Sequence, residues 1–157
     1  MSRFYNKDKK EFLQNLPSDS LEGETCTIPA RLKFNFSLLD ISQKGTESFE
    51  SLREGQRKKL IKKIVELSRE PRRHWEEENL LAIYGEFPTK KSNFKHPKHV
   101  PHDVEWARFR IESDFRLAGF FVPKNFHDKE HEKLKVRFDS NTFYAVFIDP
   151  EHNFYKQ

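Results

Sequence analysis

The order of periodic segments predicts an α+β fold: an antiparallel, partly mixed and twisted sheet of four to five strands, with helices packed on one face. Three observations carry this. Residues 106–121, WARFRIESDFRLAGFF, alternate in period two on both sides of a turn-like break at Glu112-Ser113-Asp114, the pattern of a β-hairpin. Residues 51–70 place Leu60, Ile61, Ile64, Val65 and Leu67 at helical spacing, with Pro71 as the stop. A second alternating run, FYAVFI at 143–148, follows the hairpin, so strands dominate the second half of the chain.

Each element has its own signal. Residues 8–16, DKKEFLQNL, read as a short helix stopped by Pro17, with Phe12, Leu13 and Leu16 as a docking face. That helix belongs to an N-terminal extension over residues 1–24, and residues 25–157 form one α+β domain. Between 28 and 38, Ile28, Ala30, Leu32, Phe34, Phe36 and Leu38 alternate with Arg31, Lys33, Asn35 and Ser37, which predicts an amphipathic first strand. A second, weaker helix is expected over 75–84, before an irregular stretch marked by Gly85, Pro88 and Pro97. LKVRF, residues 134–138, alternates like a strand, and Asp139-Ser140-Asn141 would turn it into the final one. His127 and His131 stand four apart in FHDKEH, the spacing of a solvated helix face.

Composition bounds the function classes. The chain has 157 residues, enough to bury a core without staples, and its single cysteine cannot form an internal disulfide. Lys and Arg total 29 against 25 Asp and Glu, a formal net charge of +4 that favours acidic or nucleic-acid partners. No apolar run approaches a membrane span, and the start MSRFYNKDKK has no signal-peptide stretch, so a cytoplasmic protein with no membrane partner is expected. A phosphate-cradling glycine loop, a Ser-His-Asp set and a Cys-His pattern are all missing, which argues against nucleotide hydrolases and proteases.

Three arginines draw attention. Arg108 and Arg110 leave one face of the first hairpin strand, and Arg116 opens the second, so three guanidiniums gather on two strands. Guanidinium stays charged at any relevant pH and grips phosphate in a bidentate way. The helix over 51–70 is also basic, with Lys62 and Lys63 among seven cations, and Lys95, Lys98 and His99 lie in the basic stretch KHPKHVPHD. The three histidines there, His96, His99 and His102, invite zinc. Two prolines prevent the helix that would stack them and no cysteine helps, so no metal and no cofactor are expected.

Taken together, these segments resemble the RelE/ParE superfamily of bacterial toxins, more closely the ribosome-dependent RelE-like messenger-RNA endonucleases. LREGQRKKLIKKIVELSREPRR is similar to that family's long basic helix ending at a Pro-Arg pair. WARFRIESDFRLAGFF resembles its motif of two cations spaced i, i+2 on a strand, a tight turn, and an aromatic-Arg pair. FYAVFIDPEHNFY resembles its last strand and a tail ending on a tyrosine. The resemblance runs from about Ile28 to Tyr155, with long insertions around 85–104 and 123–132.

The resemblance implies a RelE-like fold and a metal-free endoribonuclease toxin acting on messenger RNA at the ribosome, neutralised by a protein antitoxin. Carried over by position, it makes Arg108 and Arg110 the strand cations, Arg116 the phosphate grip and Tyr155 the terminal tyrosine, with His152 near another basic position. Lysines are frequent in the family where this chain has Arg108 and Arg110, and arginine is a poor general base. His152, with an ordinary pKa near 6.5, is the better acid-base candidate, and Tyr155 can polarise a hydroxyl, donate a proton or stack on a base. Lys62, Lys63, Lys95, Lys98 and His99 are the RNA-binding candidates. Two rival readings remain: a non-catalytic, ParE-like binding module, and a stand-alone RNA-binding protein sharing only the fold.

Overall fold

The computed structural model describes residues 20–156. Five strands form one mixed sheet in the order β1-β5-β4-β3-β2. Their ranges are β1 Lys33–Asn35, β2 Leu81–Gly85, β3 Glu105–Glu112, β4 Phe115–Phe121 and β5 Thr142–Asp149. β1 runs parallel to β5, and every other neighbouring pair is antiparallel. Two helices, α1 Glu54–Leu67 and α2 Arg72–Glu77, connect β1 to β2. The α+β class and the mixed sheet agree with the periodicity; the predicted helix at 8–16 lies outside the described residues. Among the described residues, no helix is long and apolar enough to cross a membrane.

The long helix is shorter than the 51–70 stretch that predicts it. At its start the Gln56 side chain accepts the Arg53 backbone N–H at 3.3 Å, and at its end the Ser68 hydroxyl donates to the Ile64 carbonyl at 2.6 Å. Leu60 and Leu67 are fully buried, and Ile64 packs against the same core. Arg72, just after Pro71, is buried: it pairs with Glu105 on β3 at 3.0 Å and lies over the Phe121 ring at 4.2 Å, which locks α2 to the sheet.

Four expectations need correction. The strand expected over 28–38 is only three residues long, because Pro29 lacks an N–H and Ile28–Ala30 instead form a 3-10 turn; Leu32, Phe34 and Phe36 still face the core. The helix expected over 75–84 ends at Glu77, where Asn79 takes a left-handed φ of 58°, and β2 then pairs Leu81 with Phe109 and Ile83 with Ala107. Residues 134–138 are no strand: they hold a single bridge, Glu130 to Arg137, Lys135 is left-handed, and Leu134 and Val136 are exposed at 70% and 63%. Nor do His127 and His131 share a helix; Asp128 between them is left-handed, and their Nδ1 atoms accept the backbone N–H groups of Ser140 and Leu134.

Both sheet faces are covered. On the helix face, Ala107, Phe109 and Leu117 meet Leu60, Leu67 and Trp75. On the other, Trp106, Ala118, Phe120 and Phe147 meet Phe94 and Val100 of the 86–104 connection and Phe154 of the tail. β4, the central strand, is therefore buried along its whole length. Trp106, in step with Arg108 and Arg110, lies on the arginine face, sealed beneath Phe87 and His96. The helices occupy one face as predicted, while irregular chain builds the second core.

Candidate functional site

The site sits at the hairpin end of the second face. β3 and β4 are joined by the two residues Ser113 and Asp114, with Ser113 at a left-handed φ of 37°. In the resulting register Arg110 lies opposite Arg116, and Arg116 lies opposite Asp149 on β5. Arg108 lies between Ala82 and Ala118 on its two neighbouring strands, and these methyl side chains leave room for a guanidinium to lie across the sheet. The period-two pattern thus brings the three predicted arginines onto one face.

Arg116 is the innermost of them, 6% exposed. One of its terminal nitrogens donates to the Ser113 carbonyl and to the Phe115 carbonyl at 3.1 Å, while its Nε is buried without a partner. Burial, followed by the charges of Arg108 and Arg110, holds its pKa below the usual guanidinium range; Asp114 works in the opposite direction. Among the described residues, no carboxylate forms an ion pair with Arg108, Arg110 or Arg116. The fully buried Asp149 is occupied elsewhere, accepting the Asn153 side-chain amide at 3.1 Å and the Phe154 backbone N–H at 2.8 Å.

Those two bonds fold the tail back over the sheet. Phe154 is driven into the second core at 0% exposure, and His152 takes a left-handed φ of 58° at the turn. Asn93 holds the tail from the other side through its backbone and side-chain amides, both at 2.9 Å from Asn153 oxygens. His152 is brought beside the arginines, its Nε2 buried and without a partner. Burial and then the charges of Arg116 and Arg108 lower its pKa, with Asp149 and Asp114 pulling the other way, so the neutral imidazole is favoured at pH 7.

A tyrosine pair closes the site. The Tyr84 hydroxyl accepts a hydrogen bond from Arg108 Nε, and its ring stacks on Tyr155 at 4.6 Å between centroids. Lys91 Nζ lies 5.0 Å from the centre of the Tyr155 ring. Tyr84 and Lys91 were not among the predicted residues. The alternation of LAIYG carried the signal for Tyr84, hidden because that stretch reads as a helix end; Lys91 sits in irregular chain with no periodicity to place it.

Arg108, Arg110, Arg116, His152 and Tyr155 therefore converge, and the RNA-binding candidates do not join them. Lys62 and Lys63 lie on α1, behind the opposite face of the sheet, and Lys63 pairs with Glu66 at 3.1 Å. Lys95 is exposed, its backbone clamped to the Gln43 side chain at 2.7 and 2.9 Å. Lys98 is exposed, and His99 Nε2 donates to the Leu38 carbonyl at 3.0 Å. The histidine stretch does not converge as a ligand set: His96 stacks on His102 at 4.3 Å while His99 turns away.

Fold and site define a class: an α+β domain with a five-stranded mixed sheet whose hairpin end gathers three guanidiniums, free of ion pairs among the described residues, with an imidazole and two phenols. No family model, curated protein or solved structure matches the chain.

Proposed function

We propose that the chain is a RelE-like toxin endoribonuclease that cleaves messenger RNA on the ribosome by metal-free attack of a ribose 2′-hydroxyl, held in check by a cognate antitoxin. The observation that carries the reading is the cluster of Arg108, Arg110 and Arg116, none ion-paired to a carboxylate among the described residues, beside two buried, unpartnered nitrogens, Arg116 Nε and His152 Nε2. Like charges repel and orphaned buried polar atoms cost free energy, so such a group asks for an anionic ligand that accepts hydrogen bonds. A phosphodiester supplies both.

The chemistry follows from the residue types. A neutral imidazole accepts the 2′-hydroxyl proton, and the arginines stabilise the charge that develops on the phosphate oxygens. A phenol of the tyrosine pair protonates the departing 5′-oxygen. Messenger RNA, the ribosome and the antitoxin come from the family resemblance; the basic surface of α1, where Ile61 and Val65 are half exposed between lysines, is compatible by charge with an acidic amphipathic partner helix.

A second reading, a non-catalytic RNA- or protein-binding member of the same fold, is favoured by one feature. Both strand cations are arginines, which bind anions well and accept protons poorly. Incubating the purified protein and its Arg116→Ala variant with messenger-programmed ribosomes in excess chelator separates the two. The nuclease reading expects 5′-hydroxyl and 2′,3′-cyclic phosphate ends that disappear in the variant; RNA retained intact by the wild type selects the binding module.

A further inference from the structure

β2 is an edge strand, yet it delivers one side chain into the site. Its register sets Ala82 opposite Arg108, so the Arg108 side chain crosses β2 over a methyl group and reaches Tyr84. The guanidinium donates through Nε, and among the described residues its two terminal nitrogens have no hydrogen-bond partner. A hydroxyl that accepts a hydrogen bond from a cation becomes a better donor, and among the described residues the Tyr84 O–H proton has no acceptor. Arg116 is near enough to sense a charge on Tyr84, so the phenol stands within the arginine cluster.

Tyr155 differs. Its ring is stacked on Tyr84 with the Lys91 ammonium nearby, and among the described residues no guanidinium hydrogen-bonds its hydroxyl. The two phenols are thus inequivalent: a phenolate at Tyr84 would keep a charge-assisted bond from Arg108, and one at Tyr155 would have no such bond. Tyr155 fits a supporting place, fixing the Tyr84 ring angle from the tail.

We propose that Tyr84 is the catalytic proton donor to the leaving 5′-oxygen, an assignment that rests on the endoribonuclease reading. In the step, His152 Nε2 takes the 2′-hydroxyl proton as the 2′-oxygen bonds to phosphorus. The bond from phosphorus to the 5′-oxygen breaks, and that oxygen takes the Tyr84 proton. The products are a 2′,3′-cyclic phosphate and a 5′-hydroxyl. Imidazolium and phenolate remain, and transfer of one proton from His152 to Tyr84 through solvent restores the enzyme with no other reactant.

The test uses Tyr84→Phe, which keeps the ring and its stacking, and two messages on programmed ribosomes: one all-oxygen, one with a bridging 5′-sulfur at the mapped cleavage site. A thiolate leaves without a proton. The variant should cleave the oxygen message on the order of 100- to 1,000-fold more slowly in single turnover, bind it as the wild type does, and cleave the sulfur message at the wild-type rate. Equal slowing on both messages overturns the proton-donor role, as does an undiminished rate on the oxygen message; in either case the nuclease reading stands. A wild-type protein that cuts neither message removes that reading and this assignment together.

Discussion

Arg116 concentrates the physical tension of the molecule in one side chain. Its guanidinium is buried near two others, held by backbone carbonyls on one edge and unpartnered at Nε. Arg116→Ala should leave the fold intact and lower RNA cleavage by orders of magnitude, measured as single-turnover rate beside a circular dichroism melt. Arg116→Lys should recover little, because an ammonium cannot reproduce a planar fork. His152 adds a titration. Its native pKa lies below the ordinary 6.5, so the folded state binds fewer protons than the unfolded chain. Its stabilising contribution is present above that ordinary value and is lost as pH falls through the lowered native one. NMR titration of His152 should give a midpoint below 6.5 in the free protein, moving up when an RNA phosphate neutralises Arg116 and Arg108. A midpoint unmoved by RNA would separate His152 from the anion site.

At the scale of elements, the hairpin and the tail act as one unit. Gly119 shows how close the packing is: a Cβ there would meet the Tyr144 carbonyl oxygen on β5 at 2.0 Å. Gly119→Ala should therefore destabilise the protein by about 3 kcal/mol, read from denaturant melts, since the obstacle is backbone and cannot rotate away. Phe154→Ala should cost about 3–5 kcal/mol by emptying a fully buried site, and should loosen the tail that holds His152 and Tyr155. The hairpin and β5 were legible in the sequence because alternation in Ala107, Phe109 and Ile111 matches a real period-two burial, and the arginine face followed from it. β2 was not, because its pairing with β3 is a tertiary choice overriding the helical look of residues 75–84. The run at 134–138 shows the converse: alternation without a neighbouring strand does not make one.

At the scale of the whole molecule, the sheet divides the labour. Helices seal one face; the 86–104 connection and the tail cover the other, with the site at its hairpin end. The chain that covers this second core has no periodicity, so Phe87, Phe94 and Phe154 read as loop residues until the fold brings them under one roof. The separation also recasts the basic helix. Lys62→Glu with Lys63→Glu should weaken ribosome or RNA affinity and flatten its salt dependence, leaving the single-turnover rate at saturation unchanged, because the sheet stands between α1 and the arginines.

The central claim is that this end of the sheet cuts RNA, and it is tested most directly in cells. Wild type and His152→Ala should be induced in a bacterial host while new messenger-RNA 5′ ends are mapped. Growth arrest with codon-phased cuts is expected in the wild type, and loss of both in the variant. Arrest with no new ends, or cuts that persist without the imidazole, would contradict that claim.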